Sequence, residues 1–376
     1  MEDQLRSRPR ILVWHEDGVA RRARWLSATA PLPPGRVLVV RDDLSADRAI
    51  RHARDRTSLL WRGDHRNARQ LLDAMKRRTA PRTARNQAPA EAFRRHRRAM
   101  AYRARVLGAL LVELDEEYRI PLAHAPDVRQ ACCEAYGPPD GASVVPLQEL
   151  LGVVGAGEWR RRGIEVPALG ARIHPHYGVF APTRREYVEL VAQAPIPPAT
   201  RAFDVGTGTG VLALVLARRG IGEVVATDTN PAAVACAREN AARLGLDTRV
   251  AVRHVDLFPS GQADLVVCNP PWLPGRAVSA LETGVFDEGG AMLRRFLLGL
   301  PDHLADRGEA WLVMSDLAEQ FGLRTRADLL DLVALAKLTV RERLDAPRPP
   351  RRRAPAADVL AAARARETVS LWRLAR

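Results

Sequence analysis

The sequence has no uncharged apolar run near the roughly 18 residues that a membrane span requires, so no membrane helix is expected. Its first apolar stretch, Ile11–Trp14, is shorter than the core of about 7–15 residues in a secretory signal, and the chain reads as cytoplasmic. Cysteine is scarce. Cys132 and Cys133 are adjacent, Cys236 and Cys268 stand alone, and none has the CxxC spacing of a zinc site. That excludes a disulfide framework and leaves four small, buried apolar side chains as the expectation. Lysine is nearly absent, so the basic charge is carried almost wholly by arginine.

What is present is charge of uneven distribution. The 376 residues carry a net +14, but residues 1–110 hold 26 Lys+Arg against 11 Asp+Glu, and the remainder holds 32 against 33. A local excess of this kind suits phosphate neutralisation on RNA. An arginine bias from a GC-rich genome gives part of the same excess without any binding. The length fits two packed units, each able to bury a core.

In the first part short β-like runs, Arg10–Trp14, Arg36–Val40 and Ser58–Trp61, alternate with an amphipathic helix over His65–Arg78, on which Ala68, Leu71, Leu72 and Met75 share a face. Residues 79–90 read as a linker and Glu91–Leu107 as a second basic helix. Leu110–Leu114 reads as a strand, and Asp127–Tyr136 and Pro146–Val154 as helices. From about residue 180 the alternation is regular, with strands Ala202–Val205, Glu223–Thr227, Thr248–Val255, Ala263–Cys268 and Glu309–Met314 separated by helices Gly210–Arg219, Pro231–Leu244 and Ala291–Ala305. This predicts a mostly parallel sheet closed by an antiparallel pair, Leu338–Leu344 and Glu367–Leu374, with residues 345–366 as an exposed excursion. The expected division is a basic α/β region over 1–110, a helical connecting region over 111–179 and a catalytic domain over 180–376.

The strongest local signal is Asp204-Val205-Gly206-Thr207-Gly208-Thr209-Gly210, where a buried strand turns into a helix. Glycines there let backbone approach a ligand closely. The dinucleotide fingerprint GxGxxG fails, because position 211 is valine. The next strand ends at Asp228, followed by Thr229 and Asn230, where a carboxylate can accept both hydroxyls of a ribose. The third ends in Asp256-Leu257, an acid and an apolar residue suited to an adenine amino group and ring. Each acid alone is equally well a helix cap or turn residue. Three at successive strand ends suit a nucleoside carrying a charged sulfonium.

On these motifs residues 180–376 resemble the class I S-adenosylmethionine-dependent methyltransferases. The likeness is to the small-domain group that includes release-factor glutamine methyltransferases and ribosomal RNA guanine-N2 methyltransferases. The resemblance implies a Rossmann-like α/β sheet with S-adenosylmethionine as cofactor. It places Asp204, Gly206, Thr207, Gly208 and Gly210 at the methionine end, Asp228, Thr229 and Asn230 at the ribose, and Asp256 and Leu257 at the adenine.

The fourth strand ends in Asn269-Pro270-Pro271-Trp272, the most specific motif of the chain. An amide or aromatic amino nitrogen is a poor nucleophile because its lone pair is delocalised. The Asn269 side-chain oxygen and the Pro270 carbonyl can each accept one N–H and turn the lone pair toward a methyl group. Pro271 stiffens the loop and Trp272 offers a stacking face, where the group more often has Tyr or Phe. The resemblance also implies that Asn269 borders the cofactor.

Upstream, Tyr177, Phe180 and Thr183 are pocket-wall candidates, and Thr183 with Glu186 also makes a capping box. His174 and His176 have no evident third metal ligand, and no metal is expected.

The acceptor is expected to be macromolecular. A protein glutamine amide fits Asp228-Thr229-Asn230-Pro231 and Phe286-Asp287-Glu288-Gly289-Gly290, which resemble the release-factor enzymes. An exocyclic amine of an RNA base, guanine N2 or adenine N6, fits the basic residues 1–110, which offer RNA contact. A third alternative is an inactive cofactor-binding adaptor.

Overall fold

The computed structural model describes residues 10–28, 30, 32–81, 87–277, 281–346 and 359–376. They fall into two compact units, one from residues 1–82 and 95–158, the other from 83–94 and 159–376. The division at Glu158 differs from the boundaries expected at 110 and 179. Residues 111–158 are not a separate connector, because two strands within them complete the sheet of the first unit.

In chain order the elements up to residue 162 are β1 (Ile11–Glu16), β2 (Val19–Trp25), β3 (Val37–Val40), α1 (Ala46–Arg54), β4 (Ser58–Trp61), α2 (His65–Arg78), α3 (Pro89–Leu107), β5 (Leu110–Leu114), α4 (Arg129–Tyr136), β6 (Ser143–Pro146) and α5 (Leu147–Arg162). The first unit's sheet has the order β1-β2-β6-β5-β4-β3, with β3, β4 and β5 mutually parallel. β4 and β5 carry Leu59, Leu60, Trp61, Leu110 and Leu111 at 1% exposure or less, each side chain contributing about 1.5–3 kcal/mol by burial. Ala68, Leu71, Leu72 and Met75 of α2 are buried as the periodicity predicts, and Asp64 caps that helix by accepting from the Arg66 N–H.

The linker expected at 79–90 ends early, since α3 starts at Pro89, a residue whose missing N–H is tolerated in a first helical turn. Residues 82–86 of it lie outside the described residues. So do residues 347–358 of the 345–366 excursion.

From residue 164 onward come β7 (Ile164–Val166), β8 (Ala171–Ile173), α6 (Glu186–Gln193), β9 (Arg201–Val205), α7 (Val211–Arg218), β10 (Glu223–Asp228), α8 (Pro231–Arg243), β11 (Val250–His254), β12 (Ala263–Cys268), β13 (Leu273–Pro274), β14 (Phe286–Asp287), α9 (Ala291–His303), β15 (Leu304–Ser315), α10 (Leu317–Gln320), α11 (Arg326–Leu335), β16 (Thr339–Asp345), α12 (Val359–Arg366) and β17 (Val369–Ala375).

The seven-stranded sheet of the second unit has the order β11-β10-β9-β12-β15-β17-β16. Its first five strands are parallel, and β17 runs antiparallel between β15 and β16, so the last strand is inserted into the sheet. Strand order reverses between β9 and β12, which opens a crevice at their carboxyl ends. α7 covers the sheet with Val211–Ala217 all buried, matching the uninterrupted apolar run in its sequence. Among the described residues no helix is long and apolar enough to cross a membrane.

One cysteine departs from expectation. Cys132, Cys236 and Cys268 are buried, whereas Cys133 is exposed, because α4 turns its neighbouring position outward. The cap expected from Thr183 does not form either. α6 begins at Glu186 with Arg185 at its N-cap and no side-chain cap bond, leaving Thr183 exposed two residues too early to reach the first turn.

Candidate active site

Parallel register brings four strand ends together. Val205 of β9 lies beside Thr227 of β10 and Cys268 of β12, and Asp228 lies beside His254 of β11. The glycine loop, Asp228, the Asp256-Leu257 turn and Asn269 leave the sheet at these adjacent points.

Two hydrogen bonds to one carbonyl start the glycine loop, Gly206 N–H at 2.9 Å and Thr207 N–H at 2.8 Å from Thr227 O. Gly206, Gly208 and Gly210 have φ of 75°, 56° and 84°, values that favour glycine. Gly210 is further constrained by space, since a Cβ there would stand 3.1 Å from Ala237 Cβ. Above Gly208 nothing lies within 4 Å of a Cβ position, so the loop presents open backbone.

Asp204 serves the loop from below. It is 1% exposed, and its Oδ2 accepts the Thr207 hydroxyl at 2.6 Å and the Ala213 N–H at 3.0 Å. Burial raises its pKa to about 6, with the charge of Asp228 adding to the rise and the two hydrogen bonds opposing it. Through these two bonds Asp204 braces the loop against the start of α7.

Asp228 spans the site's middle. One oxygen accepts the Gly208 N–H at 2.9 Å and the other the Asn230 N–H at 2.8 Å, which leaves each with a further lone pair. Asn230 caps α8 through the Ala232 N–H, and Thr229 is exposed at the turn, its carbonyl 2.9 Å from His254 Nε2. Asp256 is half exposed and paired with Arg295. Leu257 holds φ of 60° and its carbonyl accepts the Thr227 hydroxyl at 2.5 Å.

At the end of β12, Pro270 is buried and Asn269, Pro271 and Trp272 are half-buried. The Trp272 indole N–H donates to Asn269 Oδ1 at 2.8 Å, while its ring packs on apolar residues from both faces of the sheet. The Arg184 guanidinium lies over that ring, 5.0 Å from its centroid. Downstream, β13 pairs with β14, and Asp287 accepts the Met292 and Leu293 N–H groups at 3.0 Å, anchoring the loop to the start of α9. The Phe286–Gly290 likeness is visible in the sequence, but this capping is not. Arg184 and Glu367 carry no local signal at all, being a pair 183 residues apart.

Of the pocket-wall candidates, Phe180 packs against the Gly284 turn, where a Cβ on Gly284 would stand 3.0 Å from Phe180 Cβ, and Tyr177 is half-buried. His174 and His176 are committed to other partners. His174 Nδ1 is 2.6 Å from Arg160 O, and His176 Nε2 is 2.7 Å from Glu239 Oε2 of α8. Burial acts to raise the Glu239 pKa, but Arg243, His176 and Arg160 outweigh it and bring it to about 2. Among the described residues no cluster of His, Cys, Asp and Glu could hold a metal.

Residues 171–325 match the model of the methyltransferase small domain. The release factor glutamine methyltransferase of Cereibacter sphaeroides is 34% identical over 176 residues, 43% of this chain and 62% of that protein. The ribosomal protein L11 methyltransferase of Symbiobacterium thermophilum is 46% identical over 74 residues, 20% of this chain and 24% of that protein. The release factor glutamine methyltransferase of Deinococcus radiodurans is 51% identical over 134 residues, 35% of this chain and 45% of that protein. The chain spans less than two thirds of the length of each of these relatives.

Proposed function

We propose that this chain, whose residues 171–325 match the model of the methyltransferase small domain, methylates the side-chain amide nitrogen of a protein glutamine with S-adenosylmethionine as methyl donor. The observation that carries this reading is the adjacency of the glycine loop after β9 and Asn269-Pro270-Pro271-Trp272 after β12. The named relatives act on release factors and a ribosomal protein, which supports an acceptor in the translation apparatus, and so a cytoplasmic setting.

The residues present fit that cofactor. Gly206 and Gly208 offer open backbone to its methionine end, with Thr207 and Gly210 shaping the loop around them, and the spare lone pairs of Asp228 suit ribose hydroxyls beside Thr229 and Asn230. Leu257 supplies an apolar surface for the adenine, with Asp256 exchanging Arg295 for the amino group. When bound, the cofactor supplies a methyl carbon activated by its sulfonium.

Asn269 Oδ1 and the Pro270 carbonyl accept the two N–H bonds of the acceptor amide, so that its nitrogen lone pair is drawn out of conjugation. The ring of Trp272 stacks on the planar group, with Tyr177, Phe180 and Thr183 bounding the pocket. The nitrogen sheds its proton after transfer, and no acid–base pair is required. Most of the remaining rate enhancement is alignment.

RNA contact through the basic first unit belongs to the same proposal. A cavity of about 470 Å³ there is lined by Asp47, Ile50, Arg51, Arg54, Arg78, Thr79 and Tyr102. Arg54 Nε donates to the Tyr102 hydroxyl at 2.7 Å and Arg78 pairs with Asp47 at 3.0 Å, while the Arg51 side chain has no such partner among the described residues. Converging guanidinium groups suit phosphate, and this observation also favours the second reading, methylation of an RNA base.

The residue-level test is Asn269→Ala. Cofactor affinity by calorimetry should stay within about three-fold while transfer falls by about 10²–10³. Equal transfer rates would overturn the role given to Asn269.

A further inference from the structure

We propose that Trp272 is a positioning residue, whose indole N–H fixes which end of the Asn269 amide faces the acceptor nitrogen. The inference rests on the role given to Asn269 above and extends it to a residue whose stacking face alone would be supplied equally well by Phe or Tyr.

An asparagine amide has an oxygen end that accepts and a nitrogen end that donates, and the two have nearly the same shape. A half-turn about the last torsion exchanges them. In the exchanged state Asn269 would direct N–H groups at an acceptor that itself carries N–H groups, and the site would repel what it is meant to hold. Something must therefore tell the two orientations apart.

The indole nitrogen does so because it is a donor only. Trp272 Nε1 donates to Asn269 Oδ1 at 2.8 Å, and among the described residues this is the one hydrogen bond of the Asn269 side chain. Turning the amide would set donor against donor and leave a half-buried indole N–H unsatisfied. The oxygen has two lone pairs, so one remains for the acceptor after the indole has taken the other.

The lock works only if the indole is itself held, and it is. Its ring packs on apolar side chains of both clusters flanking the sheet, and the Arg184 guanidinium covers it at 5.0 Å. Arg184 is fixed in turn by Glu367, at 2.8 Å, a carboxylate with a side-chain exposure of 3% that also accepts the Ser315 hydroxyl at 2.7 Å. The chain runs from the β15 end through Glu367 and Arg184 to Trp272 and then Asn269. Phe at position 272 keeps the stacking face and has no donor. Tyr carries its hydroxyl at the far end of the ring, away from the indole nitrogen's position.

The test uses the full chain with methyl-tritiated S-adenosylmethionine and, as acceptor, the protein fraction of a lysate from a strain lacking the gene. Trp272→Phe should lower the rate at saturating cofactor about ten-fold or more and leave the cofactor KM within about two-fold. In an Asn269→Ala background the same substitution should cost no further rate, because Trp272 acts through Asn269. A readout independent of activity is the ¹H–¹⁵N resonance of the Trp272 indole, which should shift and exchange faster in Asn269→Ala while the other indole resonances stay in place.

An unchanged rate in Trp272→Phe, or an equal loss in both backgrounds, overturns the positioning role even if the indole resonance behaves as expected. An unmoved indole resonance in Asn269→Ala overturns the hydrogen bond itself. An Asn269→Ala protein as active as wild type overturns the role of Asn269, and the inference falls with it.

Discussion

The Thr207 hydroxyl donates to Asp204 Oδ2 at 2.6 Å beneath the glycine loop, in a place where Asp204 is only 1% exposed. The loop is thereby tied to a carboxylate that burial holds at a pKa of about 6, against 3.8 for an unperturbed aspartate. Because the folded value is raised, the protonated form is favoured by folding. Its contribution is present below about pH 4 and is lost as pH rises through about 6, on the order of 3 kcal/mol in all. Asp204→Asn stays neutral throughout. The stability of wild type relative to Asp204→Asn, from urea melts, should fall by about that amount between about pH 4 and pH 7, and a parallel pair of curves would contradict the buried, protonatable carboxyl.

Gly210→Ala adds a Cβ 3.1 Å from Ala237 Cβ at a φ of 84°. Both the backbone conformation and the contact are unfavourable, and together they should cost about 2–4 kcal/mol. Denaturant midpoints at constant slope measure it. A loss under about 0.5 kcal/mol would mean that α8 yields easily at this contact.

Glu239 ties the His174–His176 segment to α8, and its pKa of about 2 lies below the usual 4.5. A lowered acid contributes stability above about pH 4.5 and loses it as pH falls through about 2. Glu239→Gln should therefore destabilise by about 1–3 kcal/mol at pH 7, with the gap narrowing as pH is lowered toward about 2. Thermal melts of the pair across that range decide it, since a gap independent of pH would mean lost packing, not lost charge.

The arginine-lined cavity predicts a salt-dependent affinity for RNA. With a labelled single-stranded oligomer, replacing Arg51, Arg54 and Arg78 by alanine should reduce the log–log salt slope by about 2. Anisotropy titrations at several salt concentrations measure the slope, and an unchanged slope would remove RNA contact from this cavity.

The site's skeleton is legible in the sequence because its signals are local. Glycines at the end of an apolar run, acids at two further strand ends and Asn269-Pro270-Pro271-Trp272 are each contained within a few residues, and parallel register then aligns them. The limits of α2, β4 and β5 are legible for the same reason, as apolar spacing alone sets them. Where side chains disguise the pattern, the elements escape notice. In β2 the arginines at 21, 22 and 24 hide Ala23 and Trp25, which are buried, and α1 buries Ala46, Ala49 and Ala53, whose small side chains give a weak period. The fate of Asp256 and the Arg184–Glu367 pair depends on partners far along the chain, which no local window contains.

Label transfer from methyl-tritiated S-adenosylmethionine into a lysate of a strain lacking the gene, with ribonuclease and protease digestion in parallel, tests the central claim most directly. The account predicts label that survives ribonuclease, falls to protease and is recovered as methyl-glutamine on hydrolysis under conditions that spare the amide. Label released by ribonuclease, or no label above that of an Asn269→Ala control, would contradict it.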